Sequence, residues 1–241
     1  MKNIKLLAIS AVLASLALAV QAQSPTTFNG NGNTGFGGAV GNGNLVLSDN
    51  GTNLTITLNS ASALGGNDLV LYIDSIAGGY SSTAGFNDAA DGGRSAISGY
   101  SGSGQSVLTF ASGFSADYAI DIGNTYASLF GLNNGGNNSL NWIAGASQSG
   151  SSPYTLVIPL TDLGLTPGTG QTIELFGTFV SESGYRSTEA LAGNDTGAQG
   201  WNAFTQTSFA AYTTVTATPE PSTIMLSASG LATLLLFRRR R

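Results

Sequence analysis

From Leu45 onward, runs of β-branched and apolar residues return about every ten to fifteen residues, and glycine, asparagine, serine and threonine fill the gaps between them. That rhythm is the period of short strands joined by turns, and no stretch of residues carries a convincing amphipathic-helix pattern. The runs are residues 45–47, 52–58, 68–76, 106–111, 117–122, 139–144, 154–160, 173–180 and 204–216. In 52–58 the alternation is strict, with Leu54, Ile56 and Leu58 on one side and Thr55 and Thr57 on the other, which predicts a half-buried strand. Residues 69–73 and 154–158 are apolar on both faces and are predicted to be central strands between packed layers. Gly65-Gly66, Gly78-Gly79, Gly135-Gly136 and Pro167-Gly168 supply turns. The expected fold is all-β, a β-sandwich of jelly-roll-like form with Gly/Asn-rich loops. Residues 28–44 read as a loop or frayed first strand. Their Gly30, Gly32 and Gly35 fit a phosphate-loop spacing, but without the strand before and the helix after that such a loop needs.

The charged residues narrow the chemistry. With no His and no Cys, the chain has no Ser-His-Asp or Cys-His machinery, no ordinary zinc, haem or iron–sulfur ligation and no disulfide. Its two lysines, Lys2 and Lys5, stand at the extreme N-terminus, so the body has no Schiff-base or phosphate-gripping lysine. Between Ser24 and Thr218 only Arg94 and Arg186 are basic, against twelve acids, all thirteen of the chain but Glu220. Such a body repels phosphates, which speaks against a nucleic-acid partner.

Both ends carry address-like segments. Lys2 and Lys5 precede an apolar run over residues 6–20 and then Val20-Gln21-Ala22, the pattern of a secretory signal cleaved after Ala22. At the other end Pro219, Glu220 and Pro221 precede an apolar stretch at 224–237 and then Arg238, Arg239, Arg240 and Arg241. As a helix that stretch rises about 21 Å against a hydrocarbon core of roughly 30 Å, so it is a marginal transmembrane span. The arginines would hold its end on the cytoplasmic side and leave the Pro-Glu-Pro outside. The domains expected are a signal peptide at 1–22, a secreted sandwich at 23–217 and a sorting segment at 218–241.

Pro-Glu-Pro, a short apolar helix and a terminal arginine cluster together resemble the PEP-CTERM sorting signal. The resemblance implies processing near Pro219-Glu220-Pro221 by an exosortase-type membrane enzyme, transient inner-membrane anchoring, and delivery to the cell surface or extracellular matrix. Residues 68–75 and 116–123 resemble the sugar-binding sandwiches of the DOMON and glucodextranase C-terminal type, from which no binding residue carries over.

Three constellations in the body are candidates for chemistry. Asp117 and Asp121 fall on one strand face, but four strand residues put them about 13 Å apart, beyond the roughly 5 to 9.5 Å of a glycosidase pair. No cofactor is expected, with calcium the one alternative: the loop 86–94 offers Asp88 and Asp91 as oxygen ligands for it, and a surface pair of Asp91 with Arg94 explains the loop nearly as well. Arg186, with Glu182 and Glu189 nearby, reads as a local charge pairing. Aromatics beside the loops, Tyr80, Phe86, Tyr100, Trp142, Tyr185, Trp201 and Phe204, suit glycan contact as flat rings among amides, with Trp142, Tyr185 and Trp201 foremost; against that, most aromatics in a sandwich are core. The function expected is that of an exported, surface-sorted, non-catalytic structural or adhesive protein of the envelope or exopolysaccharide matrix. The alternatives are a carbohydrate-binding module and a carboxylate-based glycoside hydrolase or lyase.

Overall fold

The computed structural model describes residues 18–19 and 24–219. The leader's cleavage point at Ala22, Glu220, Pro221, the apolar stretch and Arg238 to Arg241 lie outside the described residues. The elements in chain order are β1 (Leu18–Ala19), β2 (Thr26–Asn29), β3 (Asn44–Asp49), β4 (Asn53–Asn59), β5 (Asn67–Asp74), α1 (Gly92–Ser98), β6 (Val107–Thr109), β7 (Tyr118–Ile122) and β8 (Tyr126–Gly131). They continue with β9 (Asn141–Ser147), β10 (Tyr154–Pro159), β11 (Thr172–Ser181), β12 (Arg186–Leu191), β13 (Gly193–Thr196), β14 (Ala203–Thr213) and β15 (Thr218–Pro219).

Two sheets face each other across a common core. The smaller runs β10-β4-β3-β2; the larger runs β13-β14-β11-β5-β7-β8-β9, and β1 with β15 forms a separate two-residue ladder. Each strand of the smaller sheet buries alternate residues: Leu45 and Leu47 on β3, Leu54, Ile56 and Leu58 on β4, Tyr154, Leu156 and Ile158 on β10. Those side chains pack on Leu69, Leu71, Ile73, Ile120, Ile122, Leu129 and Leu175 of the larger sheet. The larger sheet has a second apolar face, where Val70, Tyr72, Phe130 and Phe176 meet Ala96 and Ile97 of α1 and Phe110 and Phe114 of the segment after β6. Strand β5 is therefore buried on both faces, as its sequence predicts.

Several expectations are corrected. The two sheets are unequal and run in meanders, β2-β3-β4 and β7-β8-β9, where the sequence pattern pointed to a jelly-roll-like arrangement. Strand β10 is an edge strand and not a central one, and its Val157 is 55% exposed. A short helix, α1, stands where none was expected: Asp91 caps it by accepting from Arg94 N at 2.9 Å, and Gly99 ends it at φ 62°, a left-handed turn that glycine adopts without strain. Strands β8, β12 and β13 were not anticipated, because Tyr-Ala-Ser-Leu-Phe-Gly and Arg-Ser-Thr-Glu-Ala-Leu lack the β-branched run that marks a strand.

The glycine-rich segment before β3 is neither a frayed strand nor a free loop. It wraps the Glu189 carboxylate of β12, which is fully buried and accepts from the backbone amides of Phe36, Gly38, Val40 and Gly41 at 2.5 to 3.0 Å. Asn31 and Asn33 add side-chain hydrogen bonds to Thr188 O, and Phe36 packs on Phe179 and stacks on Tyr185. Consequently Glu189 does not pair with Arg186, whose guanidinium is buried beside Tyr72 and 5.7 Å from the Phe204 ring. Replacing Glu189 with alanine leaves four amides facing a void and is expected to cost about 3–5 kcal/mol in chemical denaturation, with early proteolysis between residues 30 and 43. An unchanged unfolding midpoint would show that the wrapped carboxylate contributes nothing.

Candidate functional site

The outer face of the larger sheet opens at one end into a cleft of about 400 Å³, lined by Asp68, Asp121, Ser128, Trp142, Asp91 and Glu182 among others. Strand register builds it. Asp121 pairs with Val70 of β5 on one side and Ser128 of β8 on the other, and Phe130 pairs with Trp142 of β9 across a register shift. Asp68 lies one step beyond the Leu69–Ile122 pair, so it meets Asp121 on the diagonal between adjacent strands. The turn from β11 into β12 brings Glu182 to the rim, tied by Glu182 N to Gly66 O at 3.3 Å. The first turn of α1 forms the opposite wall with Asp91, Gly92, Gly93 and Arg94. Glycine is required at Gly93 and Gly123 by space: a Cβ on the first would collide with Asp121 Oδ2, and one on the second would stand 2.6 Å from Asp68 Oδ1.

Asp68 and Asp121 are 2% and 8% exposed. Among the described residues neither accepts from a backbone amide or an arginine; they lie within hydrogen-bonding reach of each other, and Asp121 Oδ1 has no partner. Burial first and the Glu182 charge second push the Asp68 carboxyl up to about 7, although its hydrogen bond with Asp121 acts the other way. Asp121 is likewise raised well above the usual carboxylate range, by burial and then by the charge of Asp68. Two carboxylates in this contact cannot both ionise without a counter-charge, so alone they keep a proton between them.

The residues singled out in the sequence are dispersed. Asp117 is not the partner of Asp121: its carboxylate accepts from Ser75 N and Ile76 N at 3.0 Å and lies in a separate cleft with Tyr118 and Asp162. Asp88 is fully buried and accepts from Ala90 N, Asn138 N and Leu140 N, with Arg94 Nε 3.4 Å away. Asp91 pairs with Arg94, the surface pair expected. Phe86 and Phe204 belong to the interior, whereas Trp142 and Trp201 are half exposed. Trp142 stands in the cleft, while Trp201 meets Tyr185 edge-on at 5.1 Å and donates from Nε1 to Ser183 O. Asp68 went unnoticed because its partner is on the neighbouring strand, about fifty residues on in sequence; the available signal was an acid inside each of two apolar runs.

Residues 217–241 match the PEP-CTERM protein-sorting motif, which marks the chain as an exosortase-sorted, exported protein. No curated protein and no solved structure matches the chain, and the likeness of residues 68–75 and 116–123 to sugar-binding sandwiches has no match behind it. Among the described residues no helix is long and apolar enough to cross a membrane.

The carboxyl pair sets a pH dependence. With divalent ions chelated, the folded pair retains a proton that the unfolded chain releases near pH 4, so the folded state binds more protons from there up to about pH 7 and stability falls as pH rises through that window. The melting temperature at pH 5 is expected to exceed that at pH 7.5 by roughly 5 °C. Asp121→Asn should flatten most of the slope; an identical slope in that variant would assign it to other acids.

Proposed function

We propose that this exported chain is a non-catalytic component of the cell envelope or extracellular polysaccharide matrix, and that it holds glycan in the cleft beside Trp142. The observation that carries the reading is the half-exposed Trp142 indole at a polar cleft whose walls include Asn124, Thr125 and Ser128. A flat ring beside neutral hydrogen-bonding groups and the acids of the floor suits a sugar face and its hydroxyls, and the volume is that of a small-molecule site. The contact between Asp68 and Asp121 favours binding over hydrolysis, because glycosidase carboxylates stand roughly 5 to 9.5 Å apart to admit a nucleophile or water. Tyr185 and Trp201 pack on each other instead and form no part of this cleft.

A panel of polysaccharides, with binding and reducing-end release both recorded, tests the reading. Trp142→Ala should weaken binding at least about tenfold, the loss of a stacked ring, while Trp201→Ala leaves it within about twofold. Retained binding in Trp142→Ala, or release of new reducing ends, would overturn it.

The sorting segment implies passage through the inner membrane, with Arg238 to Arg241 holding the tail and cleavage near Pro219-Glu220-Pro221. Protein recovered from the cell surface is expected to lack residues 224–241 by intact mass, and neutral residues in place of the four arginines should leave an uncut precursor. A full-length surface form would sink this route.

A further inference from the structure

Six carboxylates of the body are buried: Asp49, Asp68, Asp88, Asp121, Glu189 and Asp195. A carboxylate removed from water needs donors or a counter-charge; three of the six have donors, and a fourth, Asp195, has only the charge of Arg186, its Oδ2 lacking a donor. Backbone amides serve Glu189 and Asp88; Asp49 takes Gly51 N, Val215 N and the Tyr212 hydroxyl; Asp195 lies in the field of Arg186. Asp68 and Asp121 have neither, only each other and the proton they share. The body's other arginine, Arg94, is on the cleft wall but bound to Asp88 and Asp91.

We propose that Asp68 and Asp121 form the floor of a divalent-cation site, of the hard, oxygen-ligated class to which calcium belongs, at the base of the cleft. The second observation beyond the acidic cluster is the orphaned Asp121 Oδ1: an acceptor on a side chain more than nine-tenths buried, lining the cleft and lacking any donor. Gly93 and Gly123 pack against the two carboxyl groups without a side chain and offer them no hydrogen-bond donor from one. Ser128, directly across from Asp121, and Thr125 add neutral oxygens to the same cleft. No three carboxylates among the described residues converge on one point, so the cation takes two from the floor and completes its shell with neutral oxygens and water, as calcium with its six to eight ligands does. Glu182, on an exposed turn at the rim, and Asp91, on the helix wall, are the further carboxylates of the cleft. An all-oxygen set in a chain without His or Cys excludes a softer metal. The site does not rest on the glycan reading, since the ion alone is its probe.

The test uses the full chain in detergent, stripped with EDTA and then titrated with calcium chloride against sodium chloride of equal ionic strength. A saturable rise in melting temperature below about 1 mM calcium is expected, following mass action, whereas sodium gives only a gradual change. Asp68→Asn and Asp121→Asn should each abolish the saturable rise and melt no lower than wild type in EDTA, because the amide removes the repulsion; Asp162→Asn, outside the cleft, should keep the rise. Terbium provides a measurement independent of those variants: its emission, excited through tryptophan and competed away by calcium, should vanish in Trp142→Phe and persist in Trp201→Phe. No saturable rise in wild type, a rise retained in both floor variants, or terbium emission lost only in Trp201→Phe would each overturn the proposal. A calcium-dependent melting shift without glycan binding would uphold the ion site while dismissing the glycan reading.

Discussion

Twelve acids and two arginines share the body, and three of its six buried carboxylates are answered by backbone N–H groups. Glu189 shows what this demands of the chain: four amides between Phe36 and Gly41 converge on one side chain some 150 residues away, which only a glycine-rich loop can arrange. Asp88 gathers residues 138–140 in the same manner, and Asp49 binds the end of β14 to the smaller sheet. Loops that look featureless in composition are thus fixed by specific acceptors. A composition rich in Gly and Asn is compatible with rigid structure here because each buried acid offers up to four acceptor positions.

Against that pattern the cleft stands out by contrast. Its floor is held by β5 and β7, adjacent strands buried on both faces, so the carboxylates sit on a firmly packed base. Two functional properties follow from one geometry. The repulsion that destabilises the closed fold is the same free energy available to whatever cation or proton relieves it, and the exposed indole of Trp142 gives that position a flat apolar neighbour.

Much of the sandwich is legible in the sequence where one strand suffices to read it. The alternation of Leu54, Ile56 and Leu58 is a local pattern and appears in the structure as written, as does the two-sided burial of residues 69–73. Tyr-Thr-Leu-Val-Ile at 154–158 misleads because an edge strand of a single-faced sheet can carry Val157 outward, and nothing local distinguishes that from a central strand. Strand β12 is hidden for the opposite reason: its Arg186 and Glu189 are charged, and their burial depends on Phe204 and on a loop near the start of the chain. The pairing of Asp68 with Asp121 is a fact of cross-strand register, which a single sequence does not contain; Asp117, nearer in sequence, stands too far along the strand to be the partner, as its spacing predicts.

The bonds from Asp49 to Tyr212 and Val215 also place a limit on timing and reach. The clasp between Asp49 on the smaller sheet and the end of β14 on the larger cannot form until residues 212–215 have been made, almost the last before the sorting motif. Once latched, only Thr216, Ala217 and Thr218 separate Val215 from Pro219, a tether of roughly 10 to 14 Å when extended. Any enzyme that reads Pro219-Glu220-Pro221 in the folded protein therefore meets the surface of the sandwich at the same moment, and the shape of that surface becomes part of what it must accommodate.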